Sequence, residues 1–169
     1  YANNNIYIKA ENSEMLYGMG TTITACIVKQ GKVVIANVGD SSCYIVTEGN
    51  IEKITKDHSL VQELVDDGSI TEEEAINHPN KNIITRALGT KKTVKIDTFS
   101  VDISSNTKFV LCTDGLSNEV SKEEMYSIIS QNTNQEACRL LVDLCKKKSG
   151  RDNISVIIFG GMQKWLGLF

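Results

Sequence analysis

Residues 21–55 read TTITACIVKQGKVVIANVGDSSCYIVTEGNIEKIT. Within this stretch Thr21 to Val28, Lys32 to Val38, Cys43 to Thr47 and Ile51 to Thr55 are short, β-branched runs. Gln30-Gly31 and Gly49-Asn50 stand between them as turn signals. Such spacing predicts a meander of antiparallel strands. Val33, Val34, Ile35 and Ala36 are continuously apolar, which predicts that their strand is buried on both faces.

Upstream, residues 1–17 carry Ile6, Ala10 and Tyr17 at weakly helical spacing, ended by Gly18 and Gly20. Downstream, residues 57–90 abandon the strand rhythm. Leu60, Val61, Leu64 and Val65 recur at helical spacing until Asp67-Gly68, and Thr71 with Glu74 fits a capping box for a second short helix. His78-Pro79-Asn80 is a stop and turn. This part reads as a mostly polar, helical, mobile insertion at the edge of the core. Strands resume at Val94 to Val101 and Lys108 to Thr113. Ser121 with Glu124 opens a helix to about Ser130. In the next helix Ala137, Leu140, Leu141, Leu144 and Cys145 form one apolar stripe. Lys146, Lys147 and Lys148 suit its C-terminal end, and Gly150 stops it. Ile154 to Phe159 reads as a final buried strand. The tail, residues 162–169, holds the only Trp and shows no pattern. Strands and helices thus come in blocks, which favours an α+β fold of antiparallel sheets covered by helices.

A chain of 169 residues fits one domain, and 41% hydrophobic residues supply a real core. The net charge is −3 with both signs interspersed. No basic patch suggests nucleic acid, and no apolar run is long enough to span a bilayer. No signal peptide opens these residues. The five cysteines form no CxxC pair and the two histidines are not spaced as metal partners, so a zinc site is not expected. Free buried thiols in a reducing cytoplasm are the simpler reading.

Three aspartates stand at the lips of strands. Asp40 follows one strand in Val38-Gly39-Asp40-Ser41, and Asp114 follows another in Cys112-Thr113-Asp114-Gly115. Asp152 precedes the last in Gly150-Arg151-Asp152-Asn153. Each alone also reads as a turn residue. Were they to meet at one end of a sheet, they would repel unless a cation sat among them. Oxygen-only ligands select hard ions such as Mg²⁺ or Mn²⁺. Periodicity cannot show that they converge.

Six segments, in order, resemble motifs of the type 2C family of metal-dependent serine/threonine phosphatases, in its compact bacterial branch. They are Gly18-Met19-Gly20-Thr21-Thr22, Ala36-Asn37-Val38-Gly39-Asp40-Ser41, Asp57-His58-Ser59, Ile84-Thr85-Arg86-Ala87-Leu88-Gly89, Thr113-Asp114-Gly115-Leu116 and Gly150-Arg151-Asp152-Asn153-Ile154. The resemblance implies a sandwich of two antiparallel sheets flanked by helices, with residues 57–90 as a flap. It implies hydrolysis of phosphoserine and phosphothreonine on proteins, opposing a serine/threonine kinase in the cytoplasm. In the family two Mn²⁺ or Mg²⁺ ions share a hydroxide that attacks phosphorus in line. Carried over by position, Asp114 and Asp152 ligate one core ion, and Asp40 helps hold a third, weaker ion with Asp114. Asn118 stands where many relatives have an acidic residue, so the third site is expected to be weaker still. Asn153 is expected to shape the loop around Asp152. Arg86 is read as anchoring the flap base, with a phosphate clamp as the other reading. A general-acid role for His58 is the lesser reading, and His78 is read as a turn residue.

The family's phosphate-gripping arginine, a nearby acidic residue and the metal-bridging aspartate would lie before Tyr1. This chain is therefore expected to be an N-terminally incomplete sandwich over residues 1–169. Alone, it would bind the core ions weakly and hydrolyse poorly or not at all, and its open sheet edge invites a homodimer. A non-catalytic binding or sensor module of the same fold is the alternative, although retention of Asp40, Asp114 and Asp152 argues for the enzyme.

Overall fold

A computed structural model describes residues 1–161, so the tail with Trp165 lies outside the described residues. Seven strands are β1 (Ile23–Lys29), β2 (Lys32–Val38), β3 (Ser42–Thr47), β4 (Asn50–Lys53), β5 (Asp97–Asp102), β6 (Lys108–Cys112) and β7 (Val156–Gly160). The α-helices are α1 (Ala2–Glu11), α2 (Leu60–Asp66), α3 (Glu72–Ile76), α4 (Asp114–Ser117), α5 (Lys122–Gln131) and α6 (Asn134–Lys148). The fold is α+β, with two antiparallel sheets ordered β1-β2-β5 and β4-β3-β6-β7. None of these helices is long and apolar enough to cross a membrane.

Local chemistry accounts for the helices. Both capping boxes form: Thr71 and Ser121 accept the backbone N–H of Glu74 and Glu124, whose carboxylates accept the cap N–H groups in return. Thr133 caps α6 by accepting from the Glu136 N–H. The first helix is shorter than the sequence suggests. Asn12-Ser13 interrupts it, Ser13 is extended, and only a 3-10 turn over Glu14–Leu16 follows.

The chain divides into two compact units. The larger comprises residues 25–35, 41–55 and 98 onward. It contains two apolar layers, sorted by the alternation of side chains along its strands. Between the sheets lie Val33, Ile35, Cys43 and Phe109, with Phe109 stacked on Phe159 at 5.2 Å. On the opposite face Tyr44, Val46, Val110, Cys112 and Ile158 meet Leu116, Met125, Ile129, Ala137, Leu141 and Cys145 from the helical side. Strands β3 and β6 are therefore buried on both faces.

Four expectations need correction. The strands of residues 21–55 are not one meander, because β1 and β2 belong to one sheet and β3 and β4 to the other. Strand β2 is not buried on both faces along its length: Val33 and Ile35 are buried, but Val34 is 42% exposed, and its face becomes buried only at Val38. The last strand is only partly buried, with Ile157 60% exposed, since β7 is at a sheet edge. The strand expected from Val94 also starts later, at Asp97. The Asn3 side chain donates to the carbonyls of Lys91 and Lys92, so the approach to β5 is taken up by other bonds.

The smaller unit comprises residues 1–24, 36–40 and 56–97, and includes α1, α2 and α3. Its buried apolar residues are Ala10, Val38 and Leu88, beside the buried polar Asn37, His58 and Ser59. Polar stitches do much of its work. Thr21 pairs with Leu88, Ser59 with Ile84, and the Asn3 side-chain Oδ1 accepts the Gly89 N–H at 2.8 Å.

Candidate active site

Within the larger unit, Asp114 and Asp152 sit on adjoining loops. Strand β6 delivers Thr113, the cap of α4, and Asp114 is that helix's first residue. Asp152 precedes β7. The two loops are tied by backbone and hydroxyl bonds. The Thr113 N–H donates to the Ser155 carbonyl at 3.1 Å. The Ser155 N–H donates to Thr113 Oγ1 at 3.0 Å, and that hydroxyl donates to the Asn153 carbonyl at 3.3 Å. A methyl on Gly115 would collide with the Asn153 carbonyl and stand 3.3 Å from the Asp152 Cβ. Only glycine lets the loops approach this closely. From the helical side, the Cys145 thiol donates to the Gly115 carbonyl at 2.9 Å.

Each carboxylate is partly engaged by its own loop. Asp114 Oδ1 accepts the Gly115 N–H at 2.9 Å, and Asp152 Oδ1 accepts the Asn153 N–H at 2.6 Å. Asn118 caps the C-terminus of α4, its N–H on the Asp114 carbonyl at 2.8 Å. A helical residue four positions on shares a face with Asp114. Carboxylates on two adjoining loops offer oxygen donors only, the kind that hard cations such as Mg²⁺ or Mn²⁺ take together with water or phosphate oxygens. Among the described residues no three His, Cys, Asp or Glu side chains form a metal-holding group.

Asp40 belongs to the smaller unit, two residues beyond the end of β2, with Gly39 between. Gly39 has φ +114°, and a methyl there would run into the Thr22 side chain. Its surroundings are polar and buried. The Thr24 hydroxyl donates to Asn37 Oδ1 at 2.6 Å, and the Asn37 amide donates to the carbonyls of Gly39 and Lys56 at 3.2 and 3.3 Å. His58 holds Gly39 twice. Its backbone N–H donates to the Gly39 carbonyl at 3.0 Å, and its Nδ1 accepts the Gly39 N–H at 2.9 Å. With Nδ1 accepting, a neutral ring carries its proton on Nε2, which lies 3.1 Å from Asp97 Oδ2 and 2.8 Å from Arg86 Nη1. Arg86 Nη1 meets the other Asp97 oxygen at 2.9 Å. The His58 hydrogen bond, followed by that of Arg86, holds the Asp97 carboxyl below the usual aspartate range. The Arg86 guanidinium is thereby engaged at the neck of residues 57–90. His78 Nδ1 accepts the Asn80 N–H at 3.1 Å within its turn.

A profile of the family described as protein phosphatase 2C matches residues 2–154. The chain is 43% identical, over 92% of its length, to the serine/threonine phosphatase stp of Listeria monocytogenes, of which it spans 62%. This chain belongs to the protein phosphatase 2C family.

Solved phosphatase 2C relatives share its fold. Serine/threonine phosphatase Stp1 from Staphylococcus aureus superposes with a TM-score of 0.88 at 37% identity, covering 92% of this chain and 62% of that one. The catalytic domain of the protein phosphatase PstP, solved in complex with two manganese ions, gives 0.83 at 33% identity, covering 92% and 65%. The chain thus spans about three-fifths of the length of the relatives it matches. The phosphatase 2C match includes all six segments singled out by sequence, since it runs from residue 2 to residue 154. Two supporting residues were not singled out. Asn37 is a lone amide inside an apolar strand, a signal that could have marked it. Asp97 had no such signal, because its partners lie 39 and 11 residues away.

Proposed function

We propose that the protein containing this chain is a metal-dependent phosphatase acting on phosphoserine and phosphothreonine in proteins. The observation that carries the reading is the pairing of the Asp114 and Asp152 loops at the ends of β6 and β7, in a chain whose relatives are named serine/threonine phosphatases. Asp114 and Asp152 would hold one divalent cation, Mn²⁺ or Mg²⁺, and Asp40 would contribute to a further, weaker site. Cations held there supply positive charge to the phosphoryl oxygens and acidify water for in-line attack. This chain's own part is to fix two carboxylates rigidly, through Thr113, Gly115 and Cys145. Residues 57–90 would serve as a flap beside the substrate. The same reading makes a serine/threonine kinase the functional opponent and the cytoplasm the place of action, which the five free thiols suit. The edge strand β1, where Ile27 is 67% exposed, is where a second copy would pair.

A non-catalytic binding or sensor module of the same fold is the second reading. Mn²⁺-dependent hydrolysis of a phosphothreonine peptide separates the two. The enzyme reading expects activity in the protein and at least about a hundredfold loss in Asp114→Asn. A folded, intact protein whose hydrolysis is indifferent to Mn²⁺ and to Asp114→Asn would sink it.

A further inference from the structure

His58 occupies an unusual position. It is 95% buried, yet both ring nitrogens and both backbone polar groups are used. The backbone N–H and Nδ1 grip Gly39, the residue before Asp40. The carbonyl accepts the Thr85 N–H at 2.9 Å, and Nε2 reaches Asp97, which in turn holds Arg86. The neighbouring bonds close the neck of the 57–90 segment: Ser59 bridges Ile84, and the Leu60 N–H donates to the Ile83 carbonyl at 2.9 Å. One side chain therefore joins the loop that presents Asp40 to the neck from which α2 and α3 project.

We propose that His58 is a positioning residue: it sets the Asp40 carboxylate through Gly39 and the flap neck through Asp97, so that cation binding at Asp40 and order in the flap are coupled. This rests on the reading of Asp40 as a cation ligand. The two ends of the ring can be separated chemically. Asparagine places an acceptor where Nδ1 stands, keeping Gly39 and losing Asp97. Glutamine places an amide where Nε2 stands, keeping Asp97 and losing Gly39.

The test uses Mn²⁺ itself as the probe. Mn²⁺ bound per chain is measured by equilibrium dialysis, and flap order by the rate of tryptic cleavage at the exposed Lys81. Asp40→Asn is expected to raise the Mn²⁺ concentration that half-fills the weakest site by about tenfold. His58→Gln should raise it about fivefold, and the double variant no further than Asp40→Asn alone, because the two act as a unit. His58→Asn should keep Mn²⁺ binding within about twofold while cleavage at Lys81 quickens about threefold or more. A simple packing role would not split the two readouts in this way. Wild-type Mn²⁺ binding in His58→Gln, beside a clear defect in Asp40→Asn, overturns the His58 link and leaves the Asp40 reading intact. Unaltered binding in Asp40→Asn removes the ligand reading and the proposal with it. Should His58→Gln fail to fold, His58→Asn still decides: trypsin resistance equal to wild type there overturns the coupling.

Discussion

The two units are held together by different physics. The larger buries two continuous apolar layers, in which strands such as Phe109-Val110-Leu111-Cys112 send alternate side chains into each. The smaller buries three apolar side chains and relies on Asn3, Asn37, His58 and Asp97 to join segments far apart in sequence. Apolar burial is non-directional and tolerant of small shifts. A buried polar network is directional, and it fails as a whole when one member is lost. The difference teaches where robustness and adjustability lie: Asp114 and Asp152 stand on the first kind of support, Asp40 on the second.

The sharpest way to break this contrast is to cut each support and compare. Phe109→Ala, which empties the middle of the inter-sheet layer, should cost about 3–5 kcal/mol of global stability by urea denaturation. Asn37→Ala removes a partner from Thr24, Gly39 and Lys56 and should cost about 1–3 kcal/mol. Amide exchange should locate that loss in residues 1–24, 36–40 and 56–97, with the larger unit still protected. Equal global losses from both variants would mean that the polar unit is no more separable than the apolar one.

The smallest effect should come from acid. The Asp97 carboxyl lies below its ordinary range, so its stabilising contribution is full above the unfolded value of about 3.9 and is lost as pH falls through the lower folded value. Tryptic or thermolytic cleavage will not serve at such pH, but pepsin cleavage of residues 57–90 will. Cleavage should accelerate as pH falls below about 4 in the wild type. Asp97→Asn should be more open at neutral pH and show a flatter acid response.

The same contrast governs how much could be read from sequence. Local chemistry was legible. The capping boxes at Thr71 and Ser121, and the stripe Ala137-Leu141-Cys145, rest on residues within a turn or two of one another. Strand positions in residues 21–55 were also legible, but their sheet membership was not. Alternation looks the same whether β3 pairs back on β2 or crosses to another sheet, and Gly39 announces only a turn. A continuous apolar run predicted two-sided burial along β2, where Val34 is exposed instead; β3 and β6 are the strands buried on both faces. At the candidate site, the three aspartates were visible as strand-end residues. The approach of the Asp114 loop to the Asp152 loop brings Gly115 against Asn153 across 38 positions, and no local pattern carries it. Asp97 is less legible still, an acid among polar neighbours whose meaning comes from His58 and Arg86.

Gly115 has a consequence for how this chain can change. Its hydrogen faces the Asn153 carbonyl where a methyl cannot fit, so the position accepts one residue of the twenty. Alanine there would be a wedge of known size, forcing two carboxylate-bearing loops apart with no alteration of charge. Graded relief elsewhere along the seam would turn it into a ruler for the distance between the two acids.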